Sequence, residues 1–180
     1  MNRSLWAPWR MAYIRSLESQ AAQAAAGAPP LPEEGNFIAA CFRDPAQDEA
    51  NHVVHRAEGG LILLNRYPYA NGHLLVALGE PRPTLGEYSA AQRAAFWRLV
   101  DTATDLVERT LRPQGINIGV NVGRAAGAGL PQHVHAHVVP RWAGDTNFLS
   151  VIGEVRVIPE SLATVAATLR NAAAALPGRG

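Results

Sequence analysis

The sequence predicts an α+β fold, with an antiparallel sheet that is covered by helices on one face. Two pairs of short apolar runs, each pair joined by turn residues, predict strands that pair as hairpins. A long amphipathic stretch between the two pairs predicts one helix, and a second helix follows the last strand. The predicted order is strand, strand, long helix, strand, strand, helix. A length of 180 residues suits a single domain, and the chain shows no internal repeat.

The first 36 residues are predicted to form an N-terminal arm and a flexible linker, and residues 37–180 a single domain. Two Trp, one Arg and one Tyr of the arm have near-helical spacing, which favours packing against the body or a second subunit. Small residues and three prolines in residues 19–36 are typical of a linker. The domain itself is predicted to begin with a short helix within residues 37–52.

The first hairpin pairs residues 60–65 with residues 73–78, and RYPYANG supplies the turn between them. Ser89 is a suitable N-cap for the long helix, residues 89–111, which ends before Pro113 because proline cannot continue a helix. The predicted apolar face of this helix repeats at helical spacing and consists of Ala94, Trp97, Val100, Ala103, Thr104 and Val107.

The second hairpin pairs residues 115–122 with a strand that ends near Arg141, and the Gly-rich loop GRAAGAG joins the two. Residues 155–158 predict one further short strand. Pro159 can occupy the first turn of the C-terminal helix, which we expect to reach Ala175.

Composition excludes several classes of function. The formal net charge is +1, so no overall field favours nucleic acid or an anionic membrane as a partner. The chain has no Lys, which excludes Schiff-base and P-loop chemistry. Cys41 is the single cysteine, which excludes an intrachain disulfide and a CxxC metal arm. The N-terminus lacks the apolar run of a signal peptide, and no window approaches the ~20 apolar residues of a membrane span. We therefore expect a cytoplasmic protein.

Three of the six His lie in the segment QHVHAHVVPRW, where they alternate with apolar residues. In an extended strand this pattern places His133, His135 and His137 on one face. Three interpretations are open: a polar strand face, a metal site, or a nucleophilic imidazole supported by two others. The outer two His are roughly 13 Å apart along a strand, which one tetrahedral ion would struggle to span. The pattern therefore favours the nucleophile.

The loop GRAAGAG directly precedes this segment. Glycine permits backbone conformations that turn successive N–H groups inward, which creates a site for anions. An anion site beside a nucleophilic imidazole indicates phosphoryl or nucleotidyl transfer, in which the imidazole attacks phosphorus and a phosphoramidate forms. Backbone N–H groups would stabilise the charge on the equatorial oxygens.

The residues HVHAHVV match the signature of the histidine-triad (HIT) family, and the chain resembles this family over about residues 53–142. Asn65, followed by Gly72 and His73, resembles its nucleotide pocket, while Asn121 and GRAAGAG resemble its phosphate loop. The segments LWAPWR and PRWAGDTNF are similar to the bacterial branch that contains diadenosine tetraphosphate phosphorylases and related hydrolases.

The resemblance implies a HIT-like homodimer that needs no cofactor and no catalytic metal and cleaves an α-phosphate bond of an adenine nucleotide. It implies that His135 is the nucleophile, that His137 contacts the scissile phosphate and assists the leaving group, and that His133 orients the site. His73 matches a fourth His that supports the triad. Leu63 matches a residue of the base pocket and Asn65 a ribose-binding residue. Further nucleotide contacts are expected from Asn121, Gly127, Gly129 and Gln132.

The chain departs from the family pattern at several positions. Many bacterial relatives have a zinc-binding CxxC arm near residues 36–39, where this chain has NFIA, so we expect no structural zinc. Leu130 replaces a polar residue, and Gly129 stands where phosphorylases of the branch have Ser. The leading hypothesis is therefore a nucleotidyl hydrolase or transferase that acts on dinucleoside polyphosphates or a nucleoside phosphoramidate. The alternatives are a diadenosine tetraphosphate phosphorylase and a nucleotide-binding sensor with weak catalysis.

Overall fold

The computed structural model describes residues 35–57, 59–145 and 158–176. In these ranges it contains a five-stranded antiparallel sheet and three α-helices, which confirms the predicted α+β class. Residues 1–34, which form most of the predicted arm and linker, lie outside the described residues. The same holds for residues 155–157 of the predicted short strand.

The sheet has the strand order β1-β2-β3-β5-β4, and each neighbouring pair is antiparallel. The strands are β1 (Val53–Ala57), β2 (Gly60–Leu64), β3 (Leu74–Leu78), β4 (Gly115–Val120) and β5 (Ala136–Arg141). The helices are α1 (Phe37–Arg43), α2 (Ala90–Leu111) and α3 (Leu162–Ala174). All four strands predicted between residues 60 and 141 are present.

Strand β1 is an addition to the predicted order. Its sequence, VVHRA, has only two buried apolar residues, Val53 and Val54, and the rest of the strand is half-buried. Such a short apolar run does not stand out as a strand, and β1 forms because the edge of β2 supplies its hydrogen-bond partners.

The strand register places a row of residues on one face of the sheet. Leu63 of β2 lies opposite Leu75 of β3, Leu75 opposite His137 of β5, and His137 opposite Gly119 of β4. Side chains that are directly opposite in neighbouring strands lie on the same face. This face, called here the His137 face, carries the polar cluster described below.

Helices α2 and α3 pack on the opposite face and form the main core with the sheet. The core residues include Ile62, Leu64, Leu74 and Val76 of the sheet, Phe96, Leu99, Val100, Ala103, Leu106 and Val107 of α2, and Val165 and Leu169 of α3. Trp97 was predicted to belong to the apolar face of α2, but its side chain is 44% exposed and Phe96 is buried in its place. Val100, Ala103 and Val107 of the predicted face are buried as expected, whereas Ala94 and Trp97 at its N-terminal end are exposed.

The helix ends agree with the predictions at one helix and disagree at the other. Ser89 caps α2 in a capping box with Gln92, as predicted for its N-terminus. Helix α3 begins later than predicted, because Ser161 is its N-cap and accepts a hydrogen bond from the N–H of Thr164. Pro159 therefore precedes the helix and does not occupy its first turn.

The His137 face is partly covered by α1, so the expectation of helices on one face only was wrong. Ile38 and Cys41 of α1 pack with a smaller buried cluster that contains Leu61, Leu63, Leu75, Ala77 and Leu130. None of the helices in the described ranges is both long and apolar enough to cross a membrane.

Candidate active site

The three triad histidines do not all lie in a strand. Strand β5 begins at Ala136, so His137 is within it and His133 and His135 precede it. The backbone N–H of Val134 donates to the carbonyl of Arg82 at 2.7 Å, outside the sheet ladder. The prediction that alternation in one strand brings the rings together was therefore wrong in detail, although the rings of His135 and His137 are in contact, with their centroids 5.0 Å apart.

His137 is held by the buried ring of His73. Nε2 of His73 lies 2.9 Å from Nδ1 of His137. Nδ1 of His73 accepts the backbone N–H of Tyr69 at 3.1 Å and lies 3.3 Å from the side-chain amide nitrogen of Asn65. Because two donors face Nδ1, His73 carries its proton on Nε2 and donates it to His137. His137 consequently keeps its own proton on Nε2.

His135 is fixed in the opposite tautomer. Its Nδ1 lies 2.9 Å from the backbone carbonyl oxygen of His133, which is an acceptor only, so Nδ1 carries the proton. The unprotonated nitrogen of the neutral ring is therefore Nε2. The side chain is 5% exposed, so neighbouring atoms hold the ring in this orientation. An imidazole nitrogen with a free lone pair is a suitable nucleophile for phosphorus.

His133 is fully buried between two oxygen acceptors. Its Nε2 lies 2.7 Å from the carbonyl oxygen of Leu78, and its Nδ1 lies 3.0 Å from Oδ1 of Asn36. Both nitrogens thus face protein oxygens, and this arrangement does not fit a metal ligand, which needs a nitrogen lone pair directed at the ion. Within the described ranges, no group of three or more His, Cys, Asp or Glu side chains is arranged to hold a metal ion.

The site favours neutral imidazoles. Burial lowers the pKa of His137 from its usual 6.5 to about 4, and the neighbouring His135 adds to this decrease. Burial also lowers the pKa of His135, against the opposing effect of its hydrogen bond to the carbonyl of His133. A neutral His135 is required for nucleophilic attack, so the environment keeps the ring reactive at pH 7.

The Gly-rich loop follows β4 at the end of the sheet where His135 precedes β5. Val120 of β4 pairs with Ala136 of β5, so Asn121 and His135 directly adjoin this pair at the same end of the two strands. An added Cβ at Gly127 would lie 3.8 Å from the side-chain amide nitrogen of Asn121, so these two predicted nucleotide-binding residues are adjacent. Gly127 has a positive φ of 87°, which favours glycine at this turn.

Three backbone N–H groups of the Gly-rich loop are hydrogen-bonded within the loop itself. The N–H groups of Ala126, Gly127 and Ala128 donate to carbonyls within the loop, so they do not point at a ligand. Gly129 is exposed, and Oε1 of Gln132 is a buried oxygen without a hydrogen-bond partner among the described residues. The anion-binding role of the loop therefore stays a prediction that depends on Gly129, Gln132 and Asn121.

Leu63 belongs to the buried core, whereas Asn65 belongs to the site. Leu63 is 2% exposed and is packed in the smaller cluster, so its role in a base pocket stays a prediction. Asn65 is half-buried, and its Oδ1 accepts the backbone N–H of Tyr67 at 2.9 Å. Its amide nitrogen also faces His73, which links the predicted ribose contact to the cluster of His residues.

Two residues of the site were missed by sequence reasoning. Tyr69 donates its backbone N–H to His73, and its half-exposed ring stacks at 5.9 Å from the ring of His137. Asn36 contacts His133 across 97 positions of sequence. An Asn before a helix is a recognisable N-cap signal, but no sequence pattern reveals that its side chain also reaches the triad.

Comparisons with known proteins identify the family to which the chain is similar. The family model described as HIT domain matches residues 46–144. The AP-4-A phosphorylase of Mycobacterium tuberculosis is 34% identical over 160 residues, which cover 88% of this chain and 77% of that protein. The asymmetrical bis(5'-nucleosyl)-tetraphosphatase of Schizosaccharomyces pombe is 27% identical over 95 residues, which cover 53% of this chain and 52% of that protein. A solved zinc-bound histidine triad family protein from Mycobacterium smegmatis has a TM-score of 0.61 and 26% identity, and the match covers 77% of this chain and 92% of that one.

Proposed function

Because the chain belongs to the HIT family, we propose that it is a nucleotidyl hydrolase or transferase that cleaves the α-phosphate bond of adenine dinucleotides such as diadenosine polyphosphates. The observation that carries this proposal is the pair of opposite tautomers at His135 and His137. One ring presents a lone pair on Nε2, and the ring in contact with it presents an N–H. A nucleophile beside a hydrogen-bond donor is the arrangement that in-line displacement at phosphorus requires.

In the first step, Nε2 of His135 attacks the α-phosphorus and an N–P bond forms. The bond from phosphorus to the bridging oxygen breaks, and the electron pair leaves with the polyphosphate. Nε2–H of His137 donates a hydrogen bond to that oxygen as its charge increases. The phosphorylated ring of His135 becomes a cation, and its Nδ1–H bond to the carbonyl of His133 stabilises that charge.

In the second step, an acceptor attacks the same phosphorus and the N–P bond breaks, which returns the electron pair to Nε2 of His135. With water as acceptor, diadenosine tetraphosphate gives AMP and ATP, and the proton of the water passes to solvent. With inorganic phosphate, it gives ADP and ATP. The N–P intermediate is common to both outcomes, so the identity of the acceptor is a separate question from the identity of the nucleophile.

The predicted nucleotide contacts are part of the same proposal. Leu63 would line the base pocket, Asn65 would bind the ribose, and Asn121, Gly127, Gly129 and Gln132 would lie along the phosphates. The contact between Asn65 and His73 supports the ribose assignment, because it connects that end of the site to the ring that orients His137. Oε1 of Gln132 is a buried acceptor, so a contact of Gln132 with a phosphate would come from its amide nitrogen.

Phosphorolysis is the second candidate. It is favoured by the 34% identity to the AP-4-A phosphorylase of Mycobacterium tuberculosis over most of both chains. Gly129 is an argument against phosphorolysis, because phosphorylases of the branch that this chain resembles have Ser at the corresponding position. We therefore give priority to water as the acceptor.

The test is turnover of diadenosine tetraphosphate in ¹⁸O-labelled water, with and without inorganic phosphate. Hydrolysis through His135 predicts AMP and ATP in both conditions, with one ¹⁸O in the AMP. Phosphorolysis predicts ADP that forms only when phosphate is added. The label in ATP instead of AMP would show attack at another phosphorus, and the proposed bond cleavage would then be wrong. No turnover in either condition would also contradict the proposal.

We propose further that the protein is a cytoplasmic homodimer. β4 is an edge strand, and Ile118 and Val122 at this edge are 47% and 48% exposed. Trp97 of α2 is 44% exposed as well. Edge strands with exposed apolar side chains are suited to pairing with a second copy. The cytoplasmic location is supported by the single cysteine, since the chain can form no intrachain disulfide.

A further inference from the structure

The side chain of Asn36 has two separate contacts, and one of them is with the triad. Asn36 is 3% exposed and is the N-cap of α1, where its Oδ1 accepts the N–H of Ala39 at 3.0 Å. The same oxygen lies 3.0 Å from Nδ1 of His133. An ordinary N-cap requires only the first of these contacts.

The helix contact fixes which atom of the amide faces His133. The N–H of Ala39 is a donor, so the atom that it meets in Asn36 is the oxygen. His133 therefore has an acceptor at each nitrogen, Asn36 at one and the carbonyl of Leu78 at the other. A neutral imidazole has one N–H, so these two oxygens compete for it, and an imidazolium would satisfy both. Asn36 therefore anchors the ring whenever Nδ1 carries a proton, and the carbonyl of Leu78 anchors it whenever Nε2 does.

The orientation of His133 matters because its backbone contacts the nucleophile. The carbonyl of His133 accepts Nδ1–H of His135, and this bond leaves Nε2 of His135 unprotonated. Two backbone bonds also hold this segment, from the N–H of His133 to the carbonyl of Leu130 at 3.2 Å and from the N–H of Val134 to the carbonyl of Arg82 at 2.7 Å. Neither of them acts on the His133 ring.

We propose that Asn36 is a positioning residue for the nucleophile: it anchors the His133 ring, and the anchored residue presents the carbonyl that selects the reactive tautomer of His135. This inference rests on the proposed function of His135. Two hydrogen bonds connect the start of α1 to the nucleophile. One joins the His133 ring to Asn36, and the other joins Nδ1–H of His135 to the carbonyl of His133. Asn36 itself does not contact His135, so its effect is on orientation and not on the chemistry.

The experiment separates capping from positioning with three substitutions of Asn36. Ser caps a helix about as well as Asn does, but its shorter side chain does not reach Nδ1 of His133. Asp retains both the cap and the oxygen, while Ala removes both. Asp44 provides the matched control, because it caps the next turn through the N–H of Ala46. Asp44→Ala should lower stability slightly and leave kcat at the wild-type value.

We expect Asn36→Ser to keep a wild-type melting temperature and to lose at least about tenfold in kcat with little change in KM, since small errors of position are costly in catalysis. Asn36→Asp should restore most of the lost kcat, and Asn36→Ala should lose both kcat and stability. A wild-type kcat in Asn36→Ser, or an equal loss in the Ser and Asp variants, would overturn the proposal.

A second measurement does not depend on turnover. In protein labelled with ¹⁵N at His, the protonated and unprotonated ring nitrogens have distinct chemical shifts. The wild-type His135 should show Nδ1–H, and the Asn36→Ser variant should show a mixture of the two tautomers. An unchanged tautomer would contradict the positioning role, even if no dinucleotide were cleaved. Absent cleavage in the wild type together with the expected tautomer shift would instead contradict only the proposed function.

Discussion

Nε2 of His73 lies 2.9 Å from Nδ1 of His137, and this contact determines which nitrogen of His137 holds its proton. His73 is fully buried, and the N–H of Tyr69 occupies its other nitrogen. The proton of His73 is therefore directed at His137, whose N–H must face away from His73. A polyphosphate leaves as a stable anion, so it needs such a hydrogen bond and not a complete proton transfer.

Replacement of His73 by Leu should lower kcat by about tenfold to a hundredfold, the usual cost of losing a residue that orients a reacting group. Leu fills most of the volume but cannot donate to His137, so His137 is free to adopt either tautomer. Steady-state turnover of diadenosine tetraphosphate measures the effect. His55→Leu is the control, because His55 is half-buried in the edge strand β1 and takes no part in the site. A His73→Leu enzyme with wild-type kcat would show that the hydrogen bond from His73 to His137 has no catalytic role.

Replacement of His135 by Ala should lower kcat by at least about a thousandfold, because the nucleophile is lost. Nucleotide binding should stay largely intact. Calorimetric titration with a nonhydrolysable dinucleotide measures the binding. In the wild type, acid-labile and base-stable labelled protein should be recovered after rapid quenching, as expected for an N–P bond. His135→Gly offers a complementary test, since free imidazole should restore part of its activity. Covalent catalysis by His135 is excluded if no adduct forms and the Ala variant retains more than about a tenth of the wild-type rate.

Replacement of Ile118 by Asp should convert the proposed dimer to a monomer, because it introduces a charge at the exposed edge strand β4. Analytical ultracentrifugation at several concentrations measures the oligomeric state. Tyr67→Asp is the matched control, since Tyr67 is 80% exposed and lies in the loop between β2 and β3. A wild-type protein that sediments as a monomer, or an unchanged dimer in the Ile118→Asp variant, would contradict an interface at this edge.

The helices and the central strands could be predicted from sequence because local signals define them. Ser89 and Gln92 form the capping box that the sequence around the long helix indicates. Trp97 was wrongly predicted to lie in the core, because the helical period of the apolar residues does not decide which of two adjacent large side chains is buried. Phe96 is buried instead because the helix packs with that side against the sheet, which is a tertiary constraint.

The His residues that cluster around His137 could be predicted from the sequence, but their geometry could not. Alternation of His and apolar residues predicted a common strand face, whereas the backbone before Ala136 leaves the ladder to bond with Arg82. The two tautomers depend on Tyr69 and on a backbone carbonyl, neither of which has a sequence signature. Contacts of this kind are set by the tertiary fold.

Activity should persist at mildly acidic pH, because the pKa values of His135 and His137 are both lowered. The acid limb of kcat/KM should therefore lie below pH 6.5, the usual value for His, and the profile should be flat between about pH 6.5 and 8. Initial rates in buffers of constant ionic strength measure this profile. A half-loss of activity at or above pH 6.5 would contradict neutral rings in the site.

The same shifts make folding stability depend on pH. A folded pKa of about 4 for His137 against 6.5 in the unfolded chain means that the unfolded state binds the proton more tightly. The contribution of His137 to stability is therefore complete above about pH 6.5 and is lost as the pH falls towards 4. Melting temperatures across this range measure the loss, which should be smaller in His137→Asn. If the melting temperature of the variant depended on pH as strongly as that of the wild type, other groups would be the cause of the loss of stability in acid.

Replacement of Gly129 by Ser tests what decides the acceptor. Gly129 has an ordinary backbone conformation, and an added Cβ would meet no atom of the described residues within 4 Å, so the side chain can be accommodated. A hydroxyl at this position could donate a hydrogen bond to an incoming phosphate. Hydrogen bonds to charged groups contribute about 1.5–3 kcal/mol, so we expect the ratio of ADP to AMP in the presence of phosphate to rise by about tenfold. Gly129→Ala is the matched control, because it adds the Cβ without the hydroxyl and should leave the ratio unchanged. An equal shift in both variants would point to a change of loop conformation, and no shift in the Ser variant would show that the acceptor is selected elsewhere in the site.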